Sequence, residues 1–212
     1  MSGHSVLAQA SEALRKQLFD ELKLVKLADG NPPPQDLEHC ISLCAPSQEG
    51  DAQSSHRLSL WLYFVTENEH VKNRAPSFGA DGLIKPPPLA LTLYFLATPL
   101  SADDNDEKMI ASNSAYVLGA VLEAFHKSPI IPLVIPEAAD GSETAASEEL
   151  HVSLCRLSLE ELTRIWEALN SPYQLSVCFK VNVVRIDSKR TTIGTPIVAR
   201  RFISGRIKQS AG

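Results

Sequence analysis

The sequence lacks every short pattern that carries common enzyme chemistry. There is no G-x-S-x-G elbow, no H-E-x-x-H, no phosphate-cradling G-x-x-x-x-G-K and no G-x-G-x-x-G. Its six histidines (His4, His39, His56, His70, His126, His151) are scattered, and none has a partner at ligand spacing. Glycine is scarce, at 10 of 212 residues, which disfavours glycine-rich ligand loops. No apolar run approaches the roughly 20 residues of a membrane helix. The first 20 residues carry Glu12, Arg15, Lys16 and Asp20 inside their only apolar pattern, so no secretory leader is expected. Positive charge is in deficit, with a formal net charge of −5, which argues against a chain built to bind nucleic acid. Cysteine is sparse and never forms C-x-x-C. Cys40, Cys44, Cys155 and Cys178 sit in apolar runs and read as four buried, reduced thiols, with the reducing cytosol as the default compartment. Cys40 and Cys44 share a parity but make a poor zinc site. The expectation is a non-enzyme with no cofactor and no metal.

What the sequence does have is organised around residues 86–98, PPPLALTLYFLAT. Three prolines bar a helix start and pre-set an extended chain. The run that follows is apolar at nearly every position, as in a strand covered on both faces at the centre of a sheet. Its neighbours can be picked out on either side. Residues 57–66 (RLSLWLYFVT) have the aromatic and β-branched content of a strand. Residues 37–45 (LEHCISLCA), 150–157 and 173–186 alternate, and the last is expected to be the longest strand. Residues 130–135 are apolar but cut by Pro132, which allows at most a short edge strand or a packed connector.

Three helices should cover this sheet. Leu7, Ala10, Leu14, Leu18 and Leu22 recur at helical spacing over residues 4–22. A second helix over residues 106–127 carries Ile110, Ser114, Val117, Val121 and Phe125 on one stripe, widened by Leu118 and Leu122. Gly119 in its middle costs about 1 kcal/mol relative to alanine, and suits a helix against which another backbone packs closely. A third helix opens on a capping box, Ser158-Leu159-Glu160-Glu161. Its expected buried stripe is Leu159, Leu162, Trp166 and Leu169, and Asn170 and Pro172 close it. The polar residues 46–55, the long connection 71–85 and the acid-rich residues 137–149 read as loops. Glu67, Glu69 and His70 follow a strand and read as solvated side chains rather than metal ligands. The fold expected is a single α/β (α+β) domain over residues 1–187, with a mixed central sheet of about five strands, followed by a basic C-terminal arm at 188–212.

Charge is segregated along the chain. Residues 101–149 hold ten acids and two lysines, a net −8, whereas residues 185–212 hold seven basic residues against Asp187, a net +6. The bland reading is a solvated loop and a solvated tail. The sharper one is a pair of assembly surfaces, since complementary fields fix register and exclude wrong partners. The arm combines basic residues (Arg185, Lys189, Arg190, Arg200, Arg201) with apolar ones (Ile197, Val198, Phe202), and these eight are the candidate assembly residues. Such an arm could add a strand to a partner's open edge.

Four blocks then occur in order: LSLWLYFVTENEHVKNR (58–74), PPPLALTLYFLAT (86–98), VLGAVLEAFHKSPII (117–131) and LHVSLCRLSLEELTRIWEALNSPYQLSVCFKVNVVRID (150–187). Together they resemble the cap, or tail-terminator, proteins of extracellular contractile injection systems, the phage-tail-like particles in which a sheath surrounds a rigid tube. The resemblance implies a tail-terminator-like fold with no catalytic residues. It implies a homohexameric ring at the end distal to the baseplate, which stops tube and sheath growth and holds the sheath extended. Its partners would be the sheath and inner-tube proteins, without nucleic acid and without direct membrane insertion. The chain would be made in the cytoplasm and then become part of the particle. Rival readings are another ring component of the same machine, such as a sheath initiator or neck protein, a small-ligand-binding α/β domain, and a hydrolase whose site is assembled only in space.

Overall fold

The computed structural model describes residues 5–24, 40–48, 57–72, 74–78, 83–100, 107–134, 147–186 and 192–193. Strand β5 (Leu89–Pro99) is the third of six in the main sheet, between β2 (Leu58–Glu67) and β8 (Val177–Ile186). The sheet continues through β7 (Ser147–Cys155) to an edge strand β6 (Ile130–Val134), and a short β1 (Ile41–Ser42) closes the other edge. β1 runs parallel to β2, and the other pairings are antiparallel, so the sheet is mixed as expected. The prolines ahead of Leu89 deliver an extended chain, and nine of the next ten residues after Leu89 are buried. Pro132 sits in the edge strand, where its missing donor costs least.

Two helices cover one face. α1 (Val6–Leu22) buries Val6, Ala10, Ser11, Leu14, Leu18 and Leu22, and packs on β6, β8 and the second helix. α2 (Glu107–Lys127) carries the chain from the sheet's middle to its far edge and packs on β5. It buries Val117, Leu118, Val121, Ala124 and Phe125. Of these, Val117, Val121, Ala124 and Phe125 meet Leu91, Leu93, Phe95 and Ala97 of β5 and Phe179, Val181 and Val184 of β8 in one core cluster. Phe125 stands edge-on to Phe179 at 4.7 Å, a geometry that ring quadrupoles favour. At the surface Lys127 ties α2 to Glu21 of α1 at 2.9 Å.

The opposite face of β5 carries buried polar groups. There Asn68 Nδ2 donates to Thr92 Oγ1 (3.2 Å), and Thr92 Oγ1 donates to Asn182 Oδ1 (2.9 Å). Thr98 and Ser176 hydroxyls pair at 3.1 Å. Each buried polar group here finds a partner, so its burial is tolerated.

Several expectations need correction. The strand over 37–45 contracts to Ile41–Ser42: Cys40 is helical, residues 46–48 form a 3-10 turn, and 37–39 lie outside the described residues. The Cys44 N–H turns back onto Ser42 Oγ at 3.1 Å, which takes its donor out of the ladder and ends the strand. The cysteines are all free, but only Cys40 and Cys178 are buried; Cys155 is half-buried and Cys44 exposed. The longest strand is β5 rather than β8, which begins only at Val177. Gly119 faces open space: among the described residues nothing lies within 4 Å of where its Cβ would be, so no close backbone contact explains it. Residues 71–85 are more than a loop. β3 (Ser77–Phe78) and β4 (Leu83–Lys85) pair there, and β9 (Thr192–Ile193) adds to β4 as the third strand of a small separate sheet.

The third helix is where the sequence misleads most. α3 (Leu159–Ala168) starts on the expected capping box, with Glu161 N–H donating to Ser158 Oγ at 3.2 Å and Ser158 N–H to Glu161 Oε2 at 2.8 Å. Asn170 takes the left-handed conformation (φ 51°) that closes it. Yet of the expected buried stripe only Trp166 is buried. Leu159 is 69% exposed, and Leu162 and Leu169 are half-buried.

Candidate assembly surface

Three surface features stand out once the core is accounted for. The first is the leucine stripe of α3. It follows β7 directly and is held by one anchor, Trp166, whose ring lies 6.5 Å from Tyr173. Glu160, Glu161 and Arg164 flank the open leucines, with Arg164 paired to Glu160 at 2.7 Å. The Ser158 hydrogen bonds hold the Glu161 carboxyl below the ordinary carboxylate value. The helix therefore presents an apolar stripe with an acidic first turn. Exposed Leu154 on β7 and Leu122 on α2 lie near the rim of a groove of about 490 Å³ that Phe125, Pro129 and Val152 also line.

The second feature is an aromatic ladder on the sheet face away from α1 and α2. A bulge between Leu62 and Phe64 places Tyr63 and Phe64 on the side of Tyr94. Trp61–Tyr63 (6.1 Å), Tyr63–Tyr94 (6.4 Å) and Phe64–Tyr94 (5.5 Å) are all in ring contact, and Phe64 is 53% exposed beside exposed Val65. The Tyr63 hydroxyl lies 3.2 Å from Cys178 Sγ. Burial is the chief cause that lifts the Tyr63 phenol well above its ordinary value and pushes Cys178 up to about 12. Both groups are neutral at pH 7, and the cluster suits packing rather than acid–base chemistry.

The third feature is the small sheet. It joins the long connection 71–85 to the start of the arm, pairing Leu83 with Ile193 and Ile84 with Thr192. Of the eight candidate assembly residues, Arg185 lies in β8 opposite Ala90, with its guanidinium 3.9 Å from Glu148 of β7. Lys189, Arg190, Ile197, Val198, Arg200, Arg201 and Phe202 lie outside the described residues. Sequence reading missed the aromatic ladder as a surface, although the unbroken aromatic and apolar run over residues 60–65 departs from the alternation of a one-sided strand. It took the α3 leucines for core. At the candidate metal position, Glu67 pairs with Lys72 at 2.8 Å. Among the described residues no helix is long and apolar enough to cross a membrane.

Against known proteins, residues 9–200 match the family described as the Pvc16 N-terminal domain. The chain is similar in structure to a sheath/tube terminator, in its extended state, of an extracellular contractile injection system called PVC. That match has a TM-score of 0.54 and 20% identity, over 94% of this chain and 64% of the other. It is also similar to the tube-terminating cap of the anti-feeding prophage, with a TM-score of 0.57 and 16% identity, over 92% of this chain and 60% of the other. The chain thus spans about three fifths of the length of these solved structures. No curated protein matches it in sequence.

Proposed function

The chain belongs to the Pvc16 N-terminal domain family, and from that premise we propose that it is a structural cap, or tail terminator, of a contractile injection system. It acts by binding and has no catalytic role. The observation that carries this reading is the fold: nearly the whole chain superposes on two terminator subunits, one of a sheath and tube and one of a tube. The surface chemistry supports it. Apolar side chains left open on α3 and on the aromatic ladder are what a subunit of a larger assembly presents before its neighbours arrive.

In this reading six copies close into a head-to-tail ring at the end distal to the baseplate. The ring ends tube and sheath growth and keeps the sheath extended. The open stripe of α3 faces the neighbouring copy. The basic arm, with Arg185, Lys189, Arg190, Ile197, Val198, Arg200, Arg201 and Phe202, engages the sheath, adding a strand through its apolar residues while Arg200 and Arg201 set register. The protein is made in the cytoplasm and then becomes part of the particle. Electron cryomicroscopy of particles carrying a density tag on this chain tests the placement. Tag density in a six-fold ring at the end away from the baseplate is the expected result. Density at the baseplate end, or along the shaft, would overturn it in favour of a sheath initiator or another ring component.

A further inference from the structure

The register of the sheet sets two cysteines against each other. Cys155, the last residue of β7, and Cys178, the second of β8, are direct partners across the antiparallel pair. Opposed residues of such a pair project to the same face with Cα atoms about 4.5–5.5 Å apart, inside the roughly 4.4–6.8 Å that a disulfide spans without backbone movement. Cys155 is near enough to Cys178 to help raise its thiol pKa, behind the larger effect of burial. Cys155 is half-buried and Cys178 buried, so Cys155 is the more accessible of the two. The Tyr63 hydroxyl stands on Cys178 Sγ at 3.2 Å. Nothing in the cap function uses this group.

We propose that Cys155 and Cys178 are a redox-responsive pair that low-molecular-weight disulfides convert into a cross-strand disulfide, stapling the two strands between which α3 is slung. The inference stands on strand register and is independent of the terminator reading. The reaction runs in two exchanges. The Cys155 thiolate attacks one sulfur of oxidised glutathione, forms a mixed disulfide and expels one glutathione thiolate. The Cys178 thiolate then attacks the Cys155 sulfur, forms the intramolecular bond and expels the second. The protein gives up two protons and two electrons, and the glutathione disulfide is reduced to two thiols. The order of attack follows from the surroundings. Burial holds Cys178 as a thiol at neutral pH, so the accessible Cys155 attacks first. Tyr63 is placed to donate a hydrogen bond, keeping its proton, to the Cys178 sulfur as it becomes a thiolate, which assists the second exchange. In a reducing cytosol the pair stays as two thiols, and it closes when the protein meets an oxidising medium.

Purified full-length protein carrying Cys44→Ser, which removes the exposed competing thiol, is incubated with oxidised glutathione at pH about 8, near the ordinary thiol pKa. It is then denatured, alkylated and mapped by mass spectrometry. The expected product has lost two hydrogens and yields a proteolytic fragment joining the Cys155 and Cys178 peptides, with no glutathione retained. Cys178→Ser in the same background should instead accumulate a glutathione adduct on Cys155. Tyr63→Phe should reach the same linked product through a longer-lived adduct. A wild-type pair that holds stable glutathione on Cys155, or that stays unmodified while the unfolded chain reacts, would overturn the proposal.

Discussion

Helices α1 and α3 are both amphipathic in sequence, and only one of them is seated. In α1 the stripe residues Ala10, Leu14, Leu18 and Leu22 are buried under β6, β8 and α2, and Leu7 at its start is half-buried. In α3 a single tryptophan goes in, and the leucines before and after it stay wholly or partly in solvent. The difference teaches that periodicity reports a stripe but not what covers it. α1 has its cover in its own chain. In the terminator reading α3 acquires its cover from the next copy in the ring.

The sharpest way to break this contrast is to truncate the buried side of each helix. Leu14→Ala should cost about 2–5 kcal/mol of global stability, read by denaturant unfolding, because Leu14 is fully buried in the shared core. Trp166→Ala removes a larger side chain, but from a helix held outside the main core cluster. It should release α3 locally, with amide exchange rising across 159–168 while α1 keeps its protection. Equal loss of protection in both helices would mean that α3 is as much a part of the core as α1.

A smaller effect is expected at the capping box. Ser158→Ala should cost about 1 kcal/mol. The Glu161 carboxyl is held below its ordinary value of 4.5 by Ser158, so its contribution is present above that value and is lost as pH falls through the lowered one. Ser158→Ala keeps the backbone N–H that is the larger cause of that shift, so the variant that should show a shallower loss of α3 on acidification than the wild type, followed by circular dichroism, is Glu161→Gln. The smallest effect on folding belongs to the open stripe. Leu159→Ser should change stability by less than about 0.5 kcal/mol, yet weaken ring formation measured by light scattering or native mass spectrometry. A variant that destabilises the monomer as much as Leu14→Ala does would place Leu159 in the core after all.

Much of the fold was legible because its strongest segments are unambiguous. The triple proline ahead of Leu89, the aromatic β2 and the Ser158–Glu161 box each admit one structure. What stayed hidden has a physical reason in each case. Strands β3, β4 and β9 are two or three residues long, too short for any period to show. In residues 37–45 the alternation is regular, but the helical Cys40 and the Cys44 N–H turned back onto Ser42 Oγ leave room for only two paired residues. Gly119 suggested a close neighbour, and the helix there faces open space. The Cys155–Cys178 pairing is a matter of register, fixed by where β7 ends and β8 begins rather than by any spacing in the sequence. As for assembly residues, charge segregation pointed to the arm, whereas the open leucines of α3 became visible only when Trp166 was seen to enter alone.

The central claim is that this chain ends the tube and sheath. The most direct test is the length distribution and end structure of particles, imaged by electron microscopy, from cells lacking only this protein. The terminator reading requires tubes of uncontrolled, mostly greater length, with sheaths frayed or contracted at the end away from the baseplate, and uniform particles on restoring the gene. Particles of normal, uniform length with intact extended sheaths would contradict it.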